Sequence, residues 1–321
     1  MSEPRGDAVR ARSSRRGLIL RTAVAVLLCV AAIYLVREVV AQADAIAAWR
    51  PTAADGWLLA ALALGHGAAL LLLTECWHGI VRLFAPEERA RTWPSHTMTQ
   101  VARYVPGNVA HLLGRAAWLR GGALSDAALG RATLVELVLI PLAAALALAL
   151  AAPLLPWAAL LGPLGLGGLA GAAPIVAPLL LMAGAGAGLP IAALAAGGEA
   201  ALGRRVAALV RPLILATGFM LWLGASFALV ASIVGPVAWP VAFAAGLAAW
   251  LAGYATPGAP GGLGVREAVL VAVLTAADAG ALAILAAALH RLVTTVGDLV
   301  CFLIGLGLRR AFARRTATVI A

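Results

Sequence analysis

Long apolar runs, separated by short polar or arginine-bearing stretches, set the pattern of this chain. Eight of them predict membrane-crossing helices: Leu18–Val36, Trp57–Leu73, Arg131–Ala152, Ile175–Ala196, Leu213–Val234, Val237–Tyr254, Ala268–Ala277 and Ala281–Leu308. Most come close to the ~20 residues that a helix needs to cross a hydrocarbon core; Ala268–Ala277 is short. The segments between them are polar: 1–17 with five arginines, 37–56 with Glu38, Asp44 and Asp55, and Thr74–Pro94 with Arg82, Arg89 and Arg91. Gly235-Pro236 and Asp278-Ala279-Gly280 read as tight turns. Residues 153–174, chargeless and rich in Gly and Pro, form either an external loop or an extra half-span.

Two stretches break the pattern. The first is Arg103-Tyr104-Val105-Pro106-Gly107-Asn108, running on through His111 to Leu113-Gly114-Arg115. The second is Thr256-Pro257-Gly258-Ala259-Pro260-Gly261-Gly262-Leu263-Gly264-Val265-Arg266-Glu267. Pro removes a backbone donor and Gly loosens the backbone, so a helix should break in each. Broken backbone at membrane depth persists only where protein buries it or where it lines a wet cavity. Ser95–Gly114, with arginine on both sides, either dips into the membrane and returns or lies as a helix in the interface. Each break has an arginine nine residues after its Pro (Pro106 to Arg115, Pro257 to Arg266), which suggests a parallel internal repeat of two four-span units.

Composition fixes the class. The chain is 63% hydrophobic and 12% charged, with a mean hydropathy of +0.98. A soluble domain of 321 residues needs far more polar surface. The expectation is an all-α polytopic bundle: about eight spans in one domain, 18–308, with one or two re-entrant or broken segments. Residues 1–17 and 309–321 are basic cytoplasmic tails. The basic start, the first apolar run and Ala41-Gln42-Ala43 also fit a signal peptide, with a twin-arginine hint in Ser14-Arg15-Arg16. The spans that follow favour an uncleaved anchor.

Charge then orients the bundle. All 24 basic residues are arginine, which excludes a phosphate-loop lysine, a Schiff-base lysine and pyridoxal phosphate. The net charge of +10 suits a nucleic-acid partner, but the arginines sit between apolar spans, where membrane topology accounts for them. Assigned to alternating sides, 21 arginines fall on the inner side and two (Arg37 and Arg50) outside, which predicts an inner or plasma membrane protein with both ends cytoplasmic. Cys29, Cys76 and Cys301 have neither metal spacing nor an even count and read as core residues.

Candidate chemistry rests on buried charge. Arg291 lies about 16 Å into the last span, at ~1.5 Å per residue. An arginine there costs at least ~2.5–3.5 kcal/mol. Thr294 and Asp298 share its helical face. Two readings stay open: a structural Arg291–Asp298 pair, or a polar stripe lining a path for a charged headgroup. Arg115 and Arg266 each follow a glycine-rich break near a helix start, where unpaired amides and a guanidinium suit a lipid phosphate, and Arg103, just before the first break, can join them. Simple inner-side anchoring explains each of them equally well. Glu136 and Glu267 are the nearest counter-ions. Ser226 and Ser232 read as packing residues, and His66 as a hydrogen-bonded packing residue. His78, His96 and His111 lack ligand spacing and Asp126 lacks a catalytic companion, so no catalytic residue, metal or cofactor is expected.

The two broken stretches, in this order and spacing and with the Arg291 helix after them, resemble the signatures of the lysylphosphatidylglycerol synthase transmembrane-region family. Its members are also called flippase-like domain proteins. The likeness covers nearly the whole chain, although Asn108 stands where many members carry a basic residue. It implies a polytopic domain that moves lipids or lipid-linked headgroups between leaflets. Ala321 follows the last predicted span by thirteen residues, so the expectation is a chain without the family's cytoplasmic aminoacyltransferase domain. On this reading the partner is an anionic lipid or lipid-linked glycan. Arg103, Arg115, Arg266 and Arg291 engage its phosphate near Pro106, Gly107, Gly262 and Gly264, while Glu136, Glu267 and Asp298 balance or gate them. The alternatives are a membrane subunit that supports a separate transferase, and a lipid-modifying enzyme.

Overall fold

A computed structural model describes residues 36, 40, 43–104, 109–155, 157–158, 167–198, 200–256, 262–277 and 283–320. The first predicted span, Pro106 and Gly107, the stretch 257–261, the Asp278 turn and most of 156–166 lie outside the described residues. What is described is helical, with no strand among the described residues.

The helices are α1 (Ala43–Ala48), α2 (Ala53–Val81), α3 (Arg89–Thr97), α4 (Ala110–Leu119), α5 (Asp126–Ala151), α6 (Ala173–Ala196), α7 (Leu202–Val234), α8 (Trp239–Ala255), α9 (Val265–Ala276) and α10 (Ala283–Ile320). Single-turn 3₁₀ segments at Gln100–Tyr104, Ala152–Leu154 and Gly167–Leu169 supplement them. Local chemistry sets several starts. Thr52 and Asp55 form a capping box on α2, with the Thr52 amide 2.7 Å from the Asp55 carboxylate. Ser125 caps α5 through the Ala128 amide at 3.2 Å.

Five helical stretches are long and apolar enough to cross a membrane: Ala53–Val81, Asp126–Leu154, Ala173–Ala196, Leu202–Val234 and Ala283–Arg314. Their outer faces carry exposed Leu134, Leu150, Ile175, Leu180, Ile214 and Leu303, a surface suited to hydrocarbon. Inside, glycines let backbones approach. A Cβ on Gly297 of α10 would lie 2.7 Å from His66 Cβ on α2, and one on Gly246 of α8 would lie 2.8 Å from Phe227 Cβ on α7.

The structure corrects the predicted spans between these helices. The segment from Thr74 to Pro94, expected as a loop, continues α2 through Val81 and begins α3 at Arg89. Its polar residues are buried because they satisfy one another. Trp77 Nε1 donates to Ser95 Oγ at 3.2 Å, and His78 Nδ1 meets Thr92 Oγ1 at 2.8 Å. Hydrophobic periodicity does not register an interface made of such pairs.

The first broken segment runs into the bundle and comes back. Thr97 and Met98 pack on Gly305 of α10, while Tyr104 reaches Asp298, two turns deeper along the same helix. The chain then returns through α4, so that Arg91 donates to the Leu119 carbonyl at 3.2 Å. The second broken segment enters from the opposite end, where α7 stops and α10 begins. There α9 doubles back along α8: Arg266 lies over Trp250, and Leu270 joins Gly246 and Ala287 around a small void. The predicted sixth and seventh spans are therefore one broken hairpin. At ~1.5 Å per residue, the 12 residues of α9 reach only about 18 Å, well short of a bilayer core. The two breaks consequently have opposite polarity, which replaces the parallel repeat. The last helix also continues past Leu308 to Ile320.

Candidate functional site

The residues flanking the two breaks meet at a cavity of about 270 Å³ between α4, α5 and α8. Residues flanking the first break, Arg103 and Val109, line it together with Tyr254 and Arg266, which flank the second. Arg115 and Glu136 complete its polar side with His96, Gln100 and His111. Leu73, Leu112, Ile140 and Phe219 form its apolar wall. Three arginines and one glutamate, drawn from four segments, thus converge on one space far larger than the ~10–15 Å³ that a single water needs.

Each arginine is held differently. Arg115, buried on α4, donates to both Glu136 carboxylate oxygens on α5, at 2.5 and 2.7 Å, and lies over the Trp77 ring at 5.5 Å. Arg103 forms an ion pair with Asp298 of α10 at 3.6 Å. It also ends a directed chain of hydrogen bonds. Arg103 donates to Gln100 Oε1, Gln100 Nε2 meets His96 Nε2 at 2.9 Å, and His96 Nδ1 meets Thr74 Oγ1 at 2.9 Å. Because the Thr74 hydroxyl donates onward to the Leu70 carbonyl at 3.0 Å, it must accept from His96. That direction assigns His96 the neutral Nδ1–H form, with Nε2 accepting from Gln100. Burial, then Arg115 and Arg103, holds His96 well below its ordinary pKa. Burial, then the same two arginines, takes His111 down to about 3.

Arg266 differs from both. It is the second residue of α9, and its side chain crosses two glycines: a Cβ on Gly253 or on Gly262 would stand 2.6 Å from its Cγ or 2.7 Å from its Nε, respectively. Gly262 and Gly264 hold φ of +72° and +81°, which side-chain-bearing residues rarely adopt. The guanidinium lies 5.6 Å over Trp250, which stacks on Tyr254. Its Nε has no hydrogen-bond partner, and no carboxylate pairs with it among the described residues. Glu267 turns away to cap the Gly264 amide at 2.8 Å and to pair with Arg291 at 3.7 Å.

This rearranges the expected partners. Arg291 pairs with Glu267, and Asp298 instead accepts from the Tyr104 hydroxyl at 2.6 Å and faces Arg103. Seven residues put Arg291 and Asp298 about 10 Å apart along the axis, so partners from other helices reach them first. Arg291 does not line the large cavity. It borders an adjoining void of about 20 Å³ with Arg266, His290 and Thr294. Arg115 stands in the middle of α4 rather than at its start. Arg103, Arg115 and Arg266, counted with the inner-side arginines in the sequence, line the interior cavity instead.

No protein-family model, curated protein or solved structure matches this chain. The site therefore rests on its own geometry. Sequence reasoning missed Gln100, Tyr104, Trp250 and Tyr254, and gave His96 no role. One signal was legible: His96, Gln100 and Arg103 succeed one another at spacings of four and three, the helical spacing of a polar face.

Proposed function

We propose that this protein binds the anionic headgroup of a phospholipid or lipid-linked glycan and passes it between membrane leaflets. This is what its resemblance to the lysylphosphatidylglycerol synthase transmembrane region implies. The observation that carries the reading is the convergence of Arg103, Arg115 and Arg266 on one cavity with an apolar wall, at the meeting point of two broken hairpins. An amphiphile needs both surfaces: guanidinium donors for phosphate oxygens and hydrocarbon for the first carbons of its tails.

Between substrates, Glu136 and Asp298 hold Arg115 and Arg103 in place, at a lower cost than leaving the charges alone. An arriving phosphate takes over part of that pairing. Because the hairpins enter from opposite ends, movement of one opens the cavity towards one leaflet and movement of the other opens it towards the second. The arginine bias places the bundle in an inner or plasma membrane with its last helix ending in the cytoplasm.

Vesicles containing only this protein test the reading. Fluorescent phosphatidylglycerol in the inner leaflet should become accessible to an impermeant quencher faster than in protein-free vesicles, and Arg103→Gln, Arg115→Gln and Arg266→Gln should abolish the difference. Wild-type vesicles that move lipid no faster than empty ones would sink the proposal.

A further inference from the structure

The buried charges of the site give a count. Among the described residues, four arginines, Arg103, Arg115, Arg266 and Arg291, face three carboxylates, and each carboxylate is taken: Asp298 by Arg103, Glu136 by Arg115 and Glu267 by Arg291. One positive charge is left over, and it sits on Arg266, where both cavities meet. The Trp250 face beside it attracts the guanidinium but leaves the net charge unchanged. The first turn of α9 adds amide donors that have no intrahelical acceptor. Resting on the headgroup reading above, we propose that the site takes a phosphate bearing one negative charge, a phosphodiester, and rejects dianionic phosphomonoesters and diphosphates.

The physical reason is neutrality at low dielectric. A monoanion brings the cluster to zero. A second negative charge would be enclosed with no cation left to meet it, and an uncompensated buried charge is strongly unfavourable. Two lipid sources share the accepted chemistry, glycerophospholipids such as phosphatidylglycerol and glycosyl phosphoprenols. Prenyl diphosphate carriers fall on the rejected side.

A phosphomonoester offers an internal control, because its second proton leaves near pH ~6. It can enter such a site only by keeping that proton. The groups facing the ligand are Arg103, Arg115, Arg266, Glu136, His96, His111 and Tyr254; a titration among them changes the charge of the site and would bend the phosphatidylglycerol profile as well, so a level phosphatidylglycerol profile assigns the fall to the phosphomonoester.

The experiment measures binding of dihexanoyl phosphatidylglycerol, dihexanoyl phosphatidic acid and phosphate-free dihexanoylglycerol to the full chain in detergent from pH 6 to 9. A short-chain glucosyl phosphoprenol and the matching prenyl diphosphate form a second arm. Phosphatidylglycerol affinity should stay level, while phosphatidic acid affinity falls about tenfold per pH unit above pH ~7. Glu136→Gln or Glu267→Gln adds one positive charge and should remove that fall. Arg266→Gln should weaken phosphatidylglycerol binding at least about tenfold, the effect of one neighbouring charge. The glucosyl phosphoprenol binding like phosphatidylglycerol would extend the site to both sources; its failure to bind would assign the site to glycerophospholipids.

Phosphatidic acid affinity that stays level or rises with pH in the wild type would overturn the charge count and leave the headgroup reading standing. Phosphatidylglycerol and phosphatidic acid binding no more tightly than dihexanoylglycerol would overturn both. The wild-type pH profile needs no substitution, so a variant that fails to fold cannot rescue the idea.

Discussion

At the scale of residues, partnership rather than mere presence decides what each arginine does. Arg291 and Glu267 are mostly buried, and removing one leaves the other without its ion pair. Arg291→Leu alone should cost about 3 kcal/mol, towards the low end for a broken buried pair. Adding Glu267→Leu should recover much of this loss, whereas adding Asp298→Leu should deepen it, because Asp298 belongs to Arg103 and Tyr104. Melting temperatures in detergent check this, and recovery in the Asp298 pair instead would refute the assigned partners. The histidines make a second prediction. With His111 held down to about 3 and His96 held well below its ordinary range, both resist protonation more in the folded protein than in the unfolded chain. Below about pH 6.5 the unfolded chain binds protons that these groups refuse, so stability should fall with pH there and be level from pH 7 to 8. A melting temperature that rises on acidification from pH 6.5 to 5 would contradict this.

At the scale of elements, the second break exists to lay one side chain across two glycines. Gly262→Leu meets two obstacles, a φ of +72° and a Cβ 2.7 Å from Arg266 Nε. It should displace Arg266, lower headgroup affinity at least about tenfold and leave membrane insertion intact. Gly130→Leu on α5, where no atom lies within 4 Å of the added Cβ, should change neither. Equal binding by the Gly262→Leu variant and wild type would show that the turn does not position Arg266.

At the scale of the whole molecule, two broken hairpins of opposite polarity meet inside the bundle, and the arginine bias predicts that its basic ends face the cytoplasm. Single cysteines at positions 120 and 204, in a background with Cys29, Cys76 and Cys301 replaced, should react with an impermeant thiol reagent only from the cytoplasmic side. Cysteines at positions 44 and 238 should react only from outside. Labelling of position 204 in intact cells would reverse or break this arrangement.

The sequence alone determined the membrane class, the five long helices, the two sites of breakage and all four arginines that carry charge into the interior. It could do so because apolar run length, Pro-Gly breaks and the cost of a buried charge are local properties that a one-dimensional pattern records. Tertiary structure alone decided the pairing. Asp298 lies seven residues from Arg291 in the chain yet meets Arg103, 195 positions away. It also decided that Val237–Tyr254 and Ala268–Ala277 form one hairpin, that α2 runs on through Thr74, Trp77 and His78, and that Arg266 is left without a carboxylate among the described residues. Ion pairs and polar stitching join residues that are distant in the chain, and only the folded packing of helices brings them within about 4 Å.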